Sequence, residues 1–213
     1  MNTLYNYLTK TYKPNEPIFL SNIQITNLSP DNTRQQLKNL TDAGKIKRFD
    51  KGIYFLPKQT IFKSGSQLNI EKVLEAKYLK PNGKRLGYLS GLMFCNQLGL
   101  TTQIPMLYEI IYNKATTQRR KIYLGKSEII IKKPKIAITE ENYKILQFLD
   151  LIKDIDIYAE INGIQLQNRL RKYMNNEKLT ISDMKPYFSY YPDKLYKNLI
   201  ETGVIYNGYA LSA

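Results

Sequence analysis

Apolar positions first recur at helical spacing at Leu4, Tyr7 and Leu8, an i, i+3, i+4 stripe that predicts an amphipathic helix over 3–11. Pro14 and Pro17 stop it. A short apolar piece, Ile18-Phe19-Leu20, follows, and Ser21 is placed to cap a short second helix through Ile25. The clearest helix spans 30–43. Ser29 is a good N-cap, and Pro30 occupies the first helical position, where a missing N–H costs nothing. Asp31 favours the positive end of the helix dipole. Leu37 and Leu40 turn inward with Thr33 on the same side, and Gly44 follows the last turn. The period then changes to two. Lys45-Ile46-Lys47-Arg48-Phe49 and Gly52-Ile53-Tyr54-Phe55 predict a hairpin that turns at Asp50-Lys51-Gly52, with room for a bulge where Arg48 and Phe49 adjoin. Helix, short helix, capped helix and basic hairpin in this order predict an N-terminal winged helix-turn-helix over 1–57.

Residues 58–66 are polar and mixed, and they are expected to form a linker. Beyond it, 67–213 alternates between periods. A helix is predicted over 69–79, a turn at Pro81-Asn82-Gly83, and an apolar helix over 88–98 ended by Gly99. Strands are predicted over 107–112, 121–124 and 128–132. Thr139-Glu140-Glu141 opens a helix running to about Lys153, and 162–202 holds three more. The chain is therefore of the α+β class, its second domain carrying a small central antiparallel sheet between flanking helices. Lys38-Asn39-Leu40-Thr41-Asp42-Ala43-Gly44-Lys45-Ile46 is similar to Lys197-Asn198-Leu199-Ile200-Glu201-Thr202-Gly203-Val204-Ile205. A shared way of ending a helix explains this. A degenerate second helix-turn-helix is the alternative.

In a helix-turn-helix the second helix enters the major groove and offers side chains to base edges. With Leu37 and Leu40 buried, the opposite face of 30–43 presents Asp31, Gln35, Lys38, Asn39 and Asp42, bordered by Asn32, Arg34 and Gln36. Amides can pair bidentately with adenine and arginine with guanine. Ser29 and Thr33 complete the candidates on this helix. Lys45, Lys47, Arg48 and Lys51 on the hairpin are candidates for phosphate contact. A second basic run holds Lys114, Arg119, Arg120, Lys121, Lys126, Lys132, Lys133 and Lys135. It is either a solvated strand edge guarded by lysine or a second nucleic-acid surface.

Composition sharpens this picture. The net charge is +14, which favours an anionic partner, while 43% apolar and 23% charged residues are ordinary for a globular chain. Histidine is absent, removing the usual general base and the commonest metal ligand. The single cysteine, Cys95, lies in an apolar run and is expected to be a buried hydrophobe. No catalytic residue, metal site or cofactor is assigned. Glu140-Glu141, and Asp154 with Asp156, are the carboxylate pairs a metal nuclease would use, but no third acid stands at a recognisable spacing. Tyr187, Tyr190 and Tyr191 are expected at a half-buried helix interface rather than stacked on bases. The first residues lack a basic and then apolar leader, and no stretch approaches the roughly 20 apolar residues that span a bilayer, so a cytoplasmic protein without membrane contact is expected.

The series Ser29-Pro30, Leu37, Leu40, Gly44-Lys45-Ile46 and Lys51-Gly52-Ile53-Tyr54 resembles the N-terminal domain of the AbiEi family, antitoxins of bacterial abortive-infection, type IV toxin–antitoxin systems. Gly87-Tyr88-Leu89-Ser90-Gly91-Leu92 and Leu98-Gly99-Leu100-Thr101-Thr102-Gln103-Ile104-Pro105 resemble that family's next stretch. The resemblance implies a repressor that binds inverted repeats in its own promoter. It also implies an antitoxin that opposes a nucleotidyltransferase-like toxin without a stable complex. The alternatives are a C-terminal domain that grips the toxin directly or one that senses a small ligand.

Overall fold

The fold follows from a computed structural model that describes residues 3–26, 28–59 and 65–208. Residues 60–64, within the predicted linker, lie outside the described residues. The chain divides into two compact units, Met1–Lys77 and Tyr78–Ala213, so 67–77 clusters with the first unit.

In the first unit, α1 (Thr3–Thr11) buries Leu4 and Leu8. Strand β1 (Ile18–Phe19) follows, and then a single 3-10 turn over Leu20–Asn22. The short helix expected through Ile25 is thus reduced to one turn. The turn ends at Ile23, whose backbone is extended (φ −79°, ψ 111°), and Ile23 and Ile25 pack against the core without a helix; ahead of it Ile18 and Phe19 pair with Tyr54 and Ile53, and the Leu20 N–H donates to the Gly52 carbonyl at 2.9 Å. Helix α2 (Pro30–Asp42) starts as its sequence dictates, the Asn32 N–H donating to Ser29 Oγ at 3.2 Å. It ends where Gly44 takes φ +67°, which lets the Lys45 N–H reach back to the Leu40 carbonyl at 3.0 Å. Strands β2 (Lys47–Asp50) and β3 (Ile53–Phe55) form the hairpin, with a register shift between Arg48 and Asp50. The sheet order is β1-β3-β2, all antiparallel. Leu4, Leu8, Ile18, Leu37, Leu40, Ile46 and Leu56 make the core. Helix α3 (Ile70–Leu74) follows, extended by one π-helical turn.

The second unit is built on strands β4 (Gly87–Ser90), β5 (Leu107–Tyr112), β6 (Arg119–Leu124) and β7 (Ser127–Lys132), in the order β4-β5-β7-β6. Two expectations are corrected here. The apolar run 88–98 is not one helix: its first residues lie in β4 and only Gly91–Gln97 is helical, as α4. All four β4 residues are buried and pair with Glu109–Tyr112, and a short apolar run buried on both faces carries no period that separates strand from helix. Nor is the sheet wholly antiparallel. The tight β6–β7 hairpin places β7 beside β5, and that pair runs parallel. Helices α5 (Tyr143–Lys153), α6 (Ile155–Tyr158), α7 (Gly163–Glu177), α8 (Ile181–Met184) and α9 (Lys194–Glu201) complete the unit. Their core centres on Phe148, Leu149, Ile152, Leu170, Leu195 and Leu199. Cys95 is buried in it, and burial pushes its thiol up to about 12. Gly203 ends α9 at φ +69°, its N–H donating to the Ile200 carbonyl as that of Gly44 does to Thr41.

Candidate nucleic-acid interface

Helix α2 is split lengthwise. Thr33, Leu37 and Leu40 are buried, whereas Asp31, Asn32, Arg34, Gln35, Lys38 and Asn39 are exposed and Gln36 is half-buried. Thr33, one of the predicted contact residues, instead faces inward and donates its hydroxyl to the Ser29 carbonyl at 2.9 Å. Exposed Ser29 is spent on the cap.

The amides on the open face pair along the helix. Gln35 Nε2 donates to Asn39 Oδ1 at 3.0 Å, and Gln36 Nε2 donates to Asn32 Oδ1 at 3.1 Å. Arg34 bonds Asp31 at 2.6 Å. Exposed i, i+3 and i, i+4 pairs of this kind contribute only about 0.2–0.5 kcal/mol each. A bidentate amide–adenine or arginine–guanine pair discriminates by about 1–3 kcal/mol. The intrahelical bonds therefore hold the side chains in defined rotamers without blocking exchange for a stronger partner. Gln36 Oε1 is buried and without a hydrogen-bond partner.

The hairpin cations divide into two groups. Lys45, Arg48 and Lys51 are exposed. Lys45 Nζ stands 5.2 Å from the Tyr5 ring centroid, and Arg48 Nε donates to the Asp50 carbonyl at 3.2 Å. Lys47 is different: half-buried, it donates from Nζ to the Ser66 carbonyl at 3.2 Å and is held inward. Arg48 alternates with the inward Lys47, while Ile46 precedes the strand and is buried, and the register shift falls after Arg48. An open cleft of about 520 Å³ lies beside this surface, walled by Leu20, Ile23, Ile25, Leu28 and Pro30 with Arg34 and Lys51.

The second basic run splits as well. Lys114, Arg119, Arg120, Lys121, Lys126, Lys133 and Lys135 are exposed, most of them on the edge strand β6 or beside it. Lys121 pairs with Glu128 at 2.9 Å. Lys132 points into the unit and bonds Glu109 at 2.6 Å. It belongs to a buried polar cluster with Tyr88, Asp150, Lys153 and Tyr191, residues that sequence reasoning missed. A signal was available: Glu109 interrupts an apolar strand, and Asp150 interrupts the apolar run of α5.

Three of the four carboxylates that are candidates for metal chemistry face cations, and the fourth, Glu141, lies beside Thr139. Glu140 bonds Lys80 at 3.0 Å, Asp154 lies 3.1 Å from Lys153, and Asp156 lies 2.9 Å from Lys194. Among the described residues no three His, Cys, Asp or Glu side chains cluster. Tyr191 is buried and Tyr187 half-buried, while Tyr190 is exposed. Among the described residues no helix is long and apolar enough to cross a membrane. The loop containing the Leu98–Pro105 string is clamped by Glu160, which accepts from the Thr102 N–H at 2.7 Å, the Thr102 hydroxyl at 2.9 Å and Gln103 Nε2 at 3.1 Å. These donors, the Thr102 N–H foremost, hold the Glu160 carboxyl down at about 2. DUF6088, a family of unknown function, matches residues 8–179, and the chain belongs to that family. No curated protein matches it.

Proposed function

We propose that this DUF6088 chain binds double-stranded DNA through its first unit, with 1–57 acting as a winged helix-turn-helix. The observation that carries the reading is the lengthwise split of α2. Its apolar stripe is sealed in the core while its amides, Arg34 and Lys38 stay open, beside a hairpin with three exposed cations. The order α1, β1, turn, α2, β2, β3 supports reading α2 as the recognition helix and the β2–β3 hairpin as the wing. In this reading Asn32, Gln35 and Asn39 meet base edges, and Lys38, Lys45, Arg48 and Lys51 meet phosphates.

The AbiEi-like sequence extends the proposal. The chain represses its own operon from promoter inverted repeats and counteracts a nucleotidyltransferase-like toxin in the bacterial cytoplasm without a stable complex. Gel shifts on the chain's own promoter test the first part. Asn32→Ala with Gln35→Ala abolishes preference for the promoter over random duplex and keeps salt-sensitive affinity. Equal affinity of the wild-type chain for all duplexes at every salt concentration refutes specific binding. Co-elution of the chain with the toxin from a sizing column refutes the second part.

A further inference from the structure

Tyr88 and Ser90 from β4, Glu109 and Ile111 from β5, and Lys132 from β7 share one face of the second unit's sheet, as their register requires. Leu146, Asp150 and Lys153 of α5 stand opposite, around a cavity of about 130 Å³. Burying charge between a sheet and a helix is costly, and well-packed apolar residues there would serve stability as well or better. Yet this space holds a connected ionic set. Tyr88 donates its hydroxyl to Asp150 at 2.8 Å, and Lys153 lies 3.6 Å from the same carboxylate. Lys132 bonds Glu109 at 2.6 Å. The side chains of Asp150 and Glu109 are only 14% and 15% exposed. Burial raises the carboxyl of Asp150 above its ordinary range and raises the Tyr88 hydroxyl far above its own.

The cavity has a cationic rim. Lys133 and Lys135 line it and are exposed, so it opens to solvent beside them. Lys135 is steered across it, lying 5.0 Å from the Tyr191 ring centroid and donating to the Tyr190 carbonyl at 2.8 Å. Four lysines line the cavity against two carboxylates. Asp154 offsets part of Lys153 from outside the wall, at 3.1 Å. Lys133 and Lys135 have no carboxylate partner among the described residues. No arginine lines the space, which disfavours the planar, bidentate recognition a carboxylate receives. Ammonium groups act as point charges and suit a phosphate. The space is small and open on one side, enough for a tetrahedral oxyanion.

We infer that this cavity between the sheet and α5 is a binding site for a phosphate monoester group, gripped by Lys132, Lys133, Lys135 and Lys153, with any attached group remaining outside the rim. The site is independent of the DNA-binding surface and gives the second unit a ligand of its own.

Isothermal titration calorimetry of the full chain with inorganic phosphate, at ionic strength held constant with sodium chloride, tests it. The wild-type chain gives one saturable site. Lys133→Gln with Lys135→Gln, both on the exposed rim, weakens it about tenfold or more with an unchanged urea-unfolding midpoint, the loss expected on removing charge-assisted donors. Lys10→Gln with Lys72→Gln, exposed in the other unit and outside both proposed sites, leaves it unchanged. Absence of a saturable site overturns the proposal. So does an equal loss in both double variants, which would reduce the effect to general surface charge. Adenosine monophosphate and a DNA strand with or without a 5′-phosphate separate the sources. Binding of the mononucleotide with no difference between strands identifies a free metabolite, and preference for the phosphorylated strand identifies a strand end. A chain that binds phosphate but no duplex retains this site and loses only the DNA-binding function.

Discussion

If the proposed DNA-binding function holds, replacing Arg48 and Lys51 by glutamine lowers the salt dependence of duplex binding by an amount that can be worked out in advance. The exposed cations in the proposed interface that lack a carboxylate partner among the described residues are Lys38, Lys45, Arg48 and Lys51. Arg34 is excluded because it bonds Asp31, and Lys47 because it is tied to the Ser66 carbonyl. Each phosphate neutralised releases counterions, so four contacts give a slope of log K against log salt of about −3.6 for B-DNA. Between about 50 and 200 mM salt the affinity of one chain then falls about 150-fold. With two cations removed the slope is about −1.8 and the fall about 12-fold. Fluorescence anisotropy on a labelled duplex over that salt range measures both. If the protein binds as a dimer, both slopes double and their ratio stands. Equal slopes for wild type and variant would refute the placement of the hairpin against phosphate. So would an equal change on neutralising Arg120 and Lys126, which lie in the other unit.

Other expectations concern the scaffold. Ser29→Ala removes the cap on α2 and should lower stability by about 1 kcal/mol, read from urea unfolding followed by circular dichroism. Leu37→Ala, at a position with no solvent exposure, should cost about 2–5 kcal/mol in the same assay and abolish duplex binding where the first unit unfolds. Gly87→Ala would set a Cβ 2.6 Å from the Ile111 carbonyl oxygen and 2.9 Å from that of Tyr78. Both are backbone atoms that cannot rotate away, so β4 should detach, visible as lost amide protection at Tyr88 and Leu89. Glu160 titrates at about 2 in the folded chain against an ordinary 4.5, so its clamp is fully present above about 4.5 and lost as pH falls toward 2. Hydrogen exchange at the Thr102 amide should show that loss, and Glu160→Gln should remove its pH dependence.

Local signals carried the first unit. Ser29, Pro30 and Gly44 each act within a few residues, so the ends of α2 lie where the sequence places them. The hairpin was equally legible, because alternation and Gly52 are local. What the sequence hid was non-local. Ile18 and Phe19 carry no sign that Ile53 and Tyr54 will claim them as a strand. Lys47 has the same pattern as Lys45 and Arg48, yet only a partner 19 positions away, Ser66, turns it inward.

The second unit shows the limit more sharply, because there the same residue type serves two ends. Lys132 and Lys133 are neighbours in one basic run, and charge counting treats them alike. The parallel β5–β7 register sets Ile111 opposite Lys132 and Glu109 opposite Ile130 on one face, close enough for Lys132 to reach Glu109. Leaving Lys132 outside would strand Glu109 as an unpaired buried carboxylate, a cost of several kcal/mol. Lys133 follows where the strand ends, meets no such partner and stays in water. A charged residue inside an apolar strand, as Glu109 is, thus forecasts that some distant cation will be drawn in after it. Identifying which one requires the strand order, and in this chain the strand order was the feature that the sequence left open.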